Sequence, residues 1–96
     1  MSKPAKFKFR LYVADEAQNG VQAKANLLAL CRTYLPDRHE IEIVDVLLDP
    51  KRALADEIYM TPTLIKFAPL PIRRIVGTLS QTEIVLRALG LEAVPR

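Results

Sequence analysis

What this chain lacks narrows its chemistry first. It has no tryptophan, one cysteine, one histidine and three glycines among ninety-six residues. A single cysteine, Cys31, excludes an internal disulfide and the two-thiol C-x-x-C arrangement that redox exchange needs. His39 has no second histidine and no nearby thiol, so no metal site is expected. Gly20, Gly77 and Gly90 stand far apart, which excludes a glycine-rich phosphate loop, and no cofactor is expected. No run approaches the roughly 18 apolar residues of a membrane span. The first residues carry no apolar signal core, so a reducing, cytoplasmic setting is expected. Aromatics make up 6% of the chain and the net charge is only +3, with basic residues scattered. A nucleic-acid binder would show a denser basic stripe interleaved with stacking aromatics, so nucleic acid is not an expected partner.

What is present is aliphatic. Half of the residues are hydrophobic, enough for one modest core and one domain over 1–96, with 1–6 a polar arm and 91–96 a short tail. Phe7-Lys8-Phe9-Arg10-Leu11-Tyr12-Val13 alternates apolar and polar residues, the mark of a strand with one buried face. After the polar loop 14–20, with Asn19 as the expected cap, Val21, Ala25, Leu28, Cys31 or Arg32, and Leu35 recur at helical spacing. Ala23, Leu27, Leu30 and Tyr34 widen that stripe. The spacing predicts a helix over 20–35, stopped by Pro36. A strand over 40–47 follows, and the long connection makes it a parallel neighbour of the first. Asp49-Pro50 reads as a helix start, with Asp capping and Pro at the first helical position. That helix runs 51–58, with Leu54 and Ile58 one turn apart. Thr61-Pro62-Thr63 breaks it, and strands over 64–67 and 72–76 form an antiparallel hairpin around Pro69-Leu70-Pro71. Ser80-Gln81-Thr82-Glu83 reads as a capping box, Leu79 and Ile84 as a hydrophobic staple, and Gly90 as a left-handed stop for a helix over 81–89. The order βαβαββα, with a mixed sheet, is the thioredoxin-like α/β plan without its C-x-x-C.

Few side chains suggest chemistry. Cys31 falls on the apolar side of the long helix and reads as a small buried hydrophobe. His39 reads as an exposed loop residue, Ser80 as a cap. Asp15, Glu16, Asp56 and Glu57 form a paired-carboxylate constellation only in principle; they read as solvated surface. Pro62, opening a strand, stands where thioredoxin-like folds place a cis proline, and the trans alternative is equally open. Pro62, Pro69 and Pro71 are the candidate points of slow structural switching.

Several stretches resemble the KaiB family of circadian-clock proteins. They are Phe9 to Ala14, Ile43 to Leu47 followed by Asp49-Pro50, and Thr61-Pro62-Thr63-Leu64 with Lys66. The most specific run is that last stretch continued by Pro71-Ile72-Arg73-Arg74-Ile75-Val76-Gly77 and Leu79-Ser80, and the likeness covers about 7–90. The resemblance implies a non-enzymatic regulator that binds a KaiC-type ATPase ring and modulates its phosphorylation or signalling state. A KaiA-like protein or a histidine kinase would be a further partner, and self-association into dimers or tetramers is also implied. It implies two folds for the second half, the thioredoxin-like form and an alternative order βαββααβ. The capping devices around 80–90 favour the former in this chain. By resemblance, the partner-facing residues are Pro50, Asp56, Glu57 and Tyr59, with Lys66, Arg73 and Arg74 as matched basic positions. Since Arg73 and Arg74 alternate across a strand, one of them is expected to pair locally. Where lysine is typical of the family, this chain carries Glu57, and the family's acidic tail has no counterpart up to Arg96. A partner in stress or histidine-kinase signalling is therefore the second reading, and a thioredoxin-like redox protein the remote third.

Overall fold

A computed structural model describes residues 6–15 and 17–91. The N-terminal arm to residue 5, Glu16 and the tail from residue 92 lie outside the described residues, so the expectations placed on them are not taken further. The elements are β1 (Phe7–Val13), α1 (Gln18–Tyr34), β2 (His39–Asp45), α2 (Pro50–Ala55), β3 (Thr63–Ala68), β4 (Arg73–Val76) and α3 (Thr82–Ala88). The sheet order is β2-β1-β3-β4. β1 pairs parallel with β2, while β3 is antiparallel to both β1 and β4. This is the thioredoxin-like order, with residues 82–88 helical.

The alternation in β1 sorts the molecule into layers. Phe7, Phe9, Leu11 and Val13 point to the face covered by α1 and α3, where they meet Ala23, Leu27, Leu30, Cys31, Leu35, Val85, Leu86 and Leu89. The opposite face is smaller: Tyr12, Val44, Ala53 and Ile65, flanked by Val46, Ile58 and Phe67 beneath α2. The buried stripe of α1 is therefore Gly20-Ala23-Leu27-Leu30-Cys31. Val21, Ala25 and Leu28, which the spacing made central, are exposed. The stripe is rotated because Gly20 lies flat on β1; a Cβ added there would come within 3.1 Å of the Val13 Cβ.

Several local expectations are corrected. Asn19 lies inside α1, because the Ala17 carbonyl accepts from the N–H groups of Gly20 and Val21 and starts the helix without a side-chain cap. β2 ends at Asp45, whose carboxylate accepts from the Leu47 N–H at 2.8 Å and whose carbonyl accepts from Leu48 and Asp49. His39 opens β2 and donates through Nδ1 to the Leu35 carbonyl at 2.7 Å; it is not a loop residue. Asp49 stands at the N-cap of α2 with Pro50 at the first helical position, yet its side chain makes no capping bond. α2 stops at Ala55, and Leu54 points to solvent while Ala53 is buried.

The capping box at α3 does not form. Leu79 takes the left-handed conformation with φ 64°. Ser80 instead accepts a bond from the Thr78 hydroxyl at 3.2 Å, and Gln81 becomes the N-cap. The staple fails with it, since Leu79 is buried in the core and Ile84 is exposed. The stop is as expected. Gly90 has φ 80°, its N–H reaches the Arg87 carbonyl, and the Leu91 N–H reaches Leu86 at 2.7 Å. That is the paired bonding of a Schellman motif.

Candidate functional site

The second sheet face carries a polar framework built from residues far apart in sequence. On β1, the register that points Phe9 and Leu11 into the larger core points Arg10 and Tyr12 toward α2. The Arg10 guanidinium lies 4.6 Å from the Phe67 ring centroid. It also pairs with Glu42 on β2 at 2.9 Å and with Asp56, just past α2, at 2.8 Å. The fully buried Tyr12 places its hydroxyl against the Asp56 carboxylate and the Arg52 carbonyl. Arg52 reaches Glu42 at 2.7 Å. α2 is thereby tied to β1 and β2 by a chain of alternating charges.

The electrostatics follow from those contacts. Burial opposes the ionised form of Asp56, but hydrogen bonds from Tyr12 and Arg10 outweigh it and hold the carboxyl below its usual range. Glu42 is lowered by its bonds to Arg52 and Arg10. Burial also opposes the charge on Arg10, and the bonds to Asp56 and Glu42 reverse that effect and hold the guanidinium firmly charged. Desolvation, with Asp56 nearby, raises the Tyr12 phenol. Asp56 and Glu42 are thus committed acceptors, not free bases.

A second device fixes the end of α2. The Glu57 N–H reaches the Leu54 carbonyl at 3.0 Å and the Ile58 N–H reaches Ala53 at 2.9 Å. This is again a Schellman motif, with Glu57 in the left-handed position at φ 56° where glycine is usual. Arg74, projecting from β4 on the same side, donates to the carbonyls of Asp56 and Glu57. The segment around this anchored turn presents apolar surface. Leu47, Leu48, Leu54, Tyr59 and Met60 are 66, 83, 74, 84 and 63% exposed.

The expected site residues therefore separate. Pro50, Asp56, Glu57, Tyr59 and Arg74 gather around α2. Within that group Asp56 faces inward as part of the framework, and Arg74 is the locally pairing member of the two arginines. Arg73 lies on the opposite face. Lys66 corrects the expectation of a partner-facing cation: it is 3% exposed, donates to the Leu89 carbonyl at 3.2 Å and stands 5.6 Å from the Phe7 ring centroid. The peptide bonds before Pro62, Pro69 and Pro71 are all cis, and Pro62 is buried at the start of β3. Sequence reasoning missed Arg10, Tyr12 and Arg52. The available signal was the alternation in β1, which puts a charged and a phenolic residue on a buried face where each needs a partner.

Cys31 is fully buried, and burial pushes its thiol up to about 11, away from the nucleophilic thiolate. Among the described residues, no group of three or more His, Cys, Asp or Glu side chains is arranged to hold a metal ion. Among them too, no helix is long and apolar enough to cross a membrane.

A family model described as the KaiB domain matches residues 10–91. The chain is 46% identical over 86 residues to circadian clock protein KaiB3 of Synechocystis sp., covering 90% of this chain and 82% of that protein. It is 40% identical over 91 residues to the circadian clock oscillator protein KaiB of Synechococcus elongatus, covering 95% and 89%. Among solved structures it is similar in fold to chloroplastic thioredoxin z, with TM-score 0.74 at 17% identity over 90% of this chain and 78% of that one. The N-terminal domain of Synechococcus elongatus SasA gives TM-score 0.64 at 18% identity, over 100% and 94%.

Proposed function

The chain belongs to the KaiB family, and from that membership we propose that it is a non-catalytic regulator that docks on a KaiC-type ATPase ring through α2 and the loop after it, modulating the ring's phosphorylation state. Its relatives are named as circadian clock proteins. The observation that carries the reading is the exposed apolar set Leu47, Leu48, Leu54, Tyr59 and Met60, held in place by Arg10, Asp56 and Arg74. Exposed apolar residues gathered on one rigid segment favour a protein partner over a small substrate. Rigidity matters because ordering a loop on binding subtracts from affinity. A KaiA-like protein is a further candidate partner once the ring is engaged.

A second reading, a family member serving a histidine kinase or stress response, is favoured by Glu57. Its side chain is exposed beside Tyr59. A negative charge there, where clock members typically carry a positive one, favours a partner surface of opposite sign. Co-elution with the host's own KaiC-type ATPase, with and without ATP, tests the main reading. Wild type is expected to co-elute and Leu54→Asp to run free; equal co-elution of both would overturn the α2 assignment.

A further inference from the structure

The sheet's other outer strand, β4, is built differently from α2, although its Arg74 reaches the carbonyls of Asp56 and Glu57 at the end of that helix. Among the described residues β4 pairs only with β3, so one side of its backbone is open to another strand. The Gly77 N–H donates to the Pro62 carbonyl at 3.0 Å, and the register runs Thr63↔Val76, Leu64↔Ile75, Ile65↔Arg74, Lys66↔Arg73. Antiparallel pairs alternate between bonded and non-bonded. Ile75 and Arg73 therefore turn their main-chain groups inward, and Arg74 and Val76 turn theirs outward. Side chains alternate as well. Ile72, Arg74 and Val76 lie on the α2 side, with Ile72 and Val76 55 and 53% exposed. Arg73 lies on the α3 side, and together with Arg74, Ile84, Arg87 and Ala88 it lines an open groove of about 450 Å³.

Charge in this groove has one sign. Among the described residues, Arg73 and Arg87 make no ion pair or side-chain hydrogen bond, and Glu83, one turn before Arg87 on α3, is not paired with it. Behind Arg73 sits the buried Lys66, whose one hydrogen-bond partner among the described residues is the uncharged Leu89 carbonyl. Burial, and then the charge of Arg73, lower the Lys66 ammonium, as expected where positive groups accumulate without a counter-charge. A four-residue edge strand that carries two charged residues, Arg73 and Arg74, is guarded against pairing with another basic edge. The same charges select for an acidic one.

We propose that the β4 edge is a docking site for an extended segment of another protein in which acidic residues alternate with aliphatic ones. Added as a further strand, such a segment bonds the outward N–H and C=O groups of Arg74 and Val76. Its carboxylates reach Arg73 and Arg87 as bidentate partners, and its aliphatic side chains lie against Ile72 and Val76. This site does not depend on the α2 reading.

The test uses the whole chain and a short capped peptide alternating glutamate with valine, followed by fluorescence anisotropy and amide NMR. Saturable binding is expected, with amide shifts confined to 72–76 and 84–88. Val76→Pro removes an outward N–H that has no internal partner and is expected to abolish binding. Arg87→Glu, at an exposed position, is expected to weaken it about tenfold. A peptide with lysine in place of glutamate is expected not to bind. Equal binding of the lysine peptide, shifts centred on α2, displacement of the peptide by millimolar inorganic phosphate alone, or self-association of the chain through β4 that Val76→Pro removes would each overturn the proposal.

Discussion

Replacing Asp56 by Asn probes the framework at its narrowest point. The carboxylate accepts from Arg10 at 2.8 Å and from the buried Tyr12, and it holds the end of α2 to the central strand. Asparagine keeps an acceptor for Tyr12 but removes the charge that balances Arg10. Hydrogen bonds to charged groups contribute about 1.5–3 kcal/mol. Arg10 keeps Glu42 at 2.9 Å, so the lower end applies, about 1.5 kcal/mol. In a domain of this size that is roughly 6–12 °C in Tm. The pH dependence gives a sharper signature. Asp56 is lowered in the folded state, so its contribution is complete above the unfolded carboxyl's usual value of about 3.9 and is lost as pH falls through the folded one. Thermal unfolding followed by circular dichroism should therefore show a gap between wild type and Asp56→Asn that is constant from neutral pH to about 5 and closes below about 4. A Tm change under about 2 °C at pH 7, or a gap unaffected by acid, would refute the reasoning.

Three further outcomes are expected. Glu57→Gly relieves the left-handed strain at φ 56° and should raise stability by about 1 kcal/mol in urea titration; a loss would contradict the Schellman assignment. Gly20→Ala forces a methyl to 3.1 Å from Val13 on a strand paired on both sides. Overpacking of about 1–3 kcal/mol exceeds the helix-propensity gain of about 1, so a net loss near 1 kcal/mol is expected, and a more stable variant would count against it. Cys31, with its thiol raised to about 11 by burial, should react with a maleimide at pH 8 only after unfolding; prompt labelling of the native protein would contradict its place in the core.

The layers were legible because they depend on periods. Alternation in β1 gives both sheet faces directly, and Pro50 at the first helical position of α2 and Gly90 after α3 mark helix ends by mechanisms that act within a few residues, although Asp49 makes no side-chain cap. The parallel pairing of β1 with β2 followed from the length of the crossover. Signals that compete locally were misread. Ser80 had a glutamate three residues on, but the left-handed turn at Leu79 drives that leucine into the core and shifts the cap to Gln81. In α1 two apolar stripes were available, and the close approach of Gly20 to Val13 selects the one through Ala23 and Leu27.

The framework itself was not legible. Arg10 and Tyr12 meet Asp56 across more than forty residues of chain, and no local pattern records that meeting. Lys66 reads as a surface cation in sequence because lysine is seldom buried. Its inward direction follows only from the register of β3 against β1 and from the Leu89 carbonyl that receives it. Family resemblance pointed to the α2 segment as the expected docking surface, and the geometry separates the residues exposed there from those that anchor the segment.

Docking through an anchored apolar segment is tested most directly by a hydrogen-exchange footprint of this chain alone and in complex with its host's KaiC-type ATPase. Protection concentrated in 47–60, with 82–88 unchanged and still helical, is the result expected. Protection elsewhere with 47–60 exchanging freely, or no complex under any nucleotide, would contradict it.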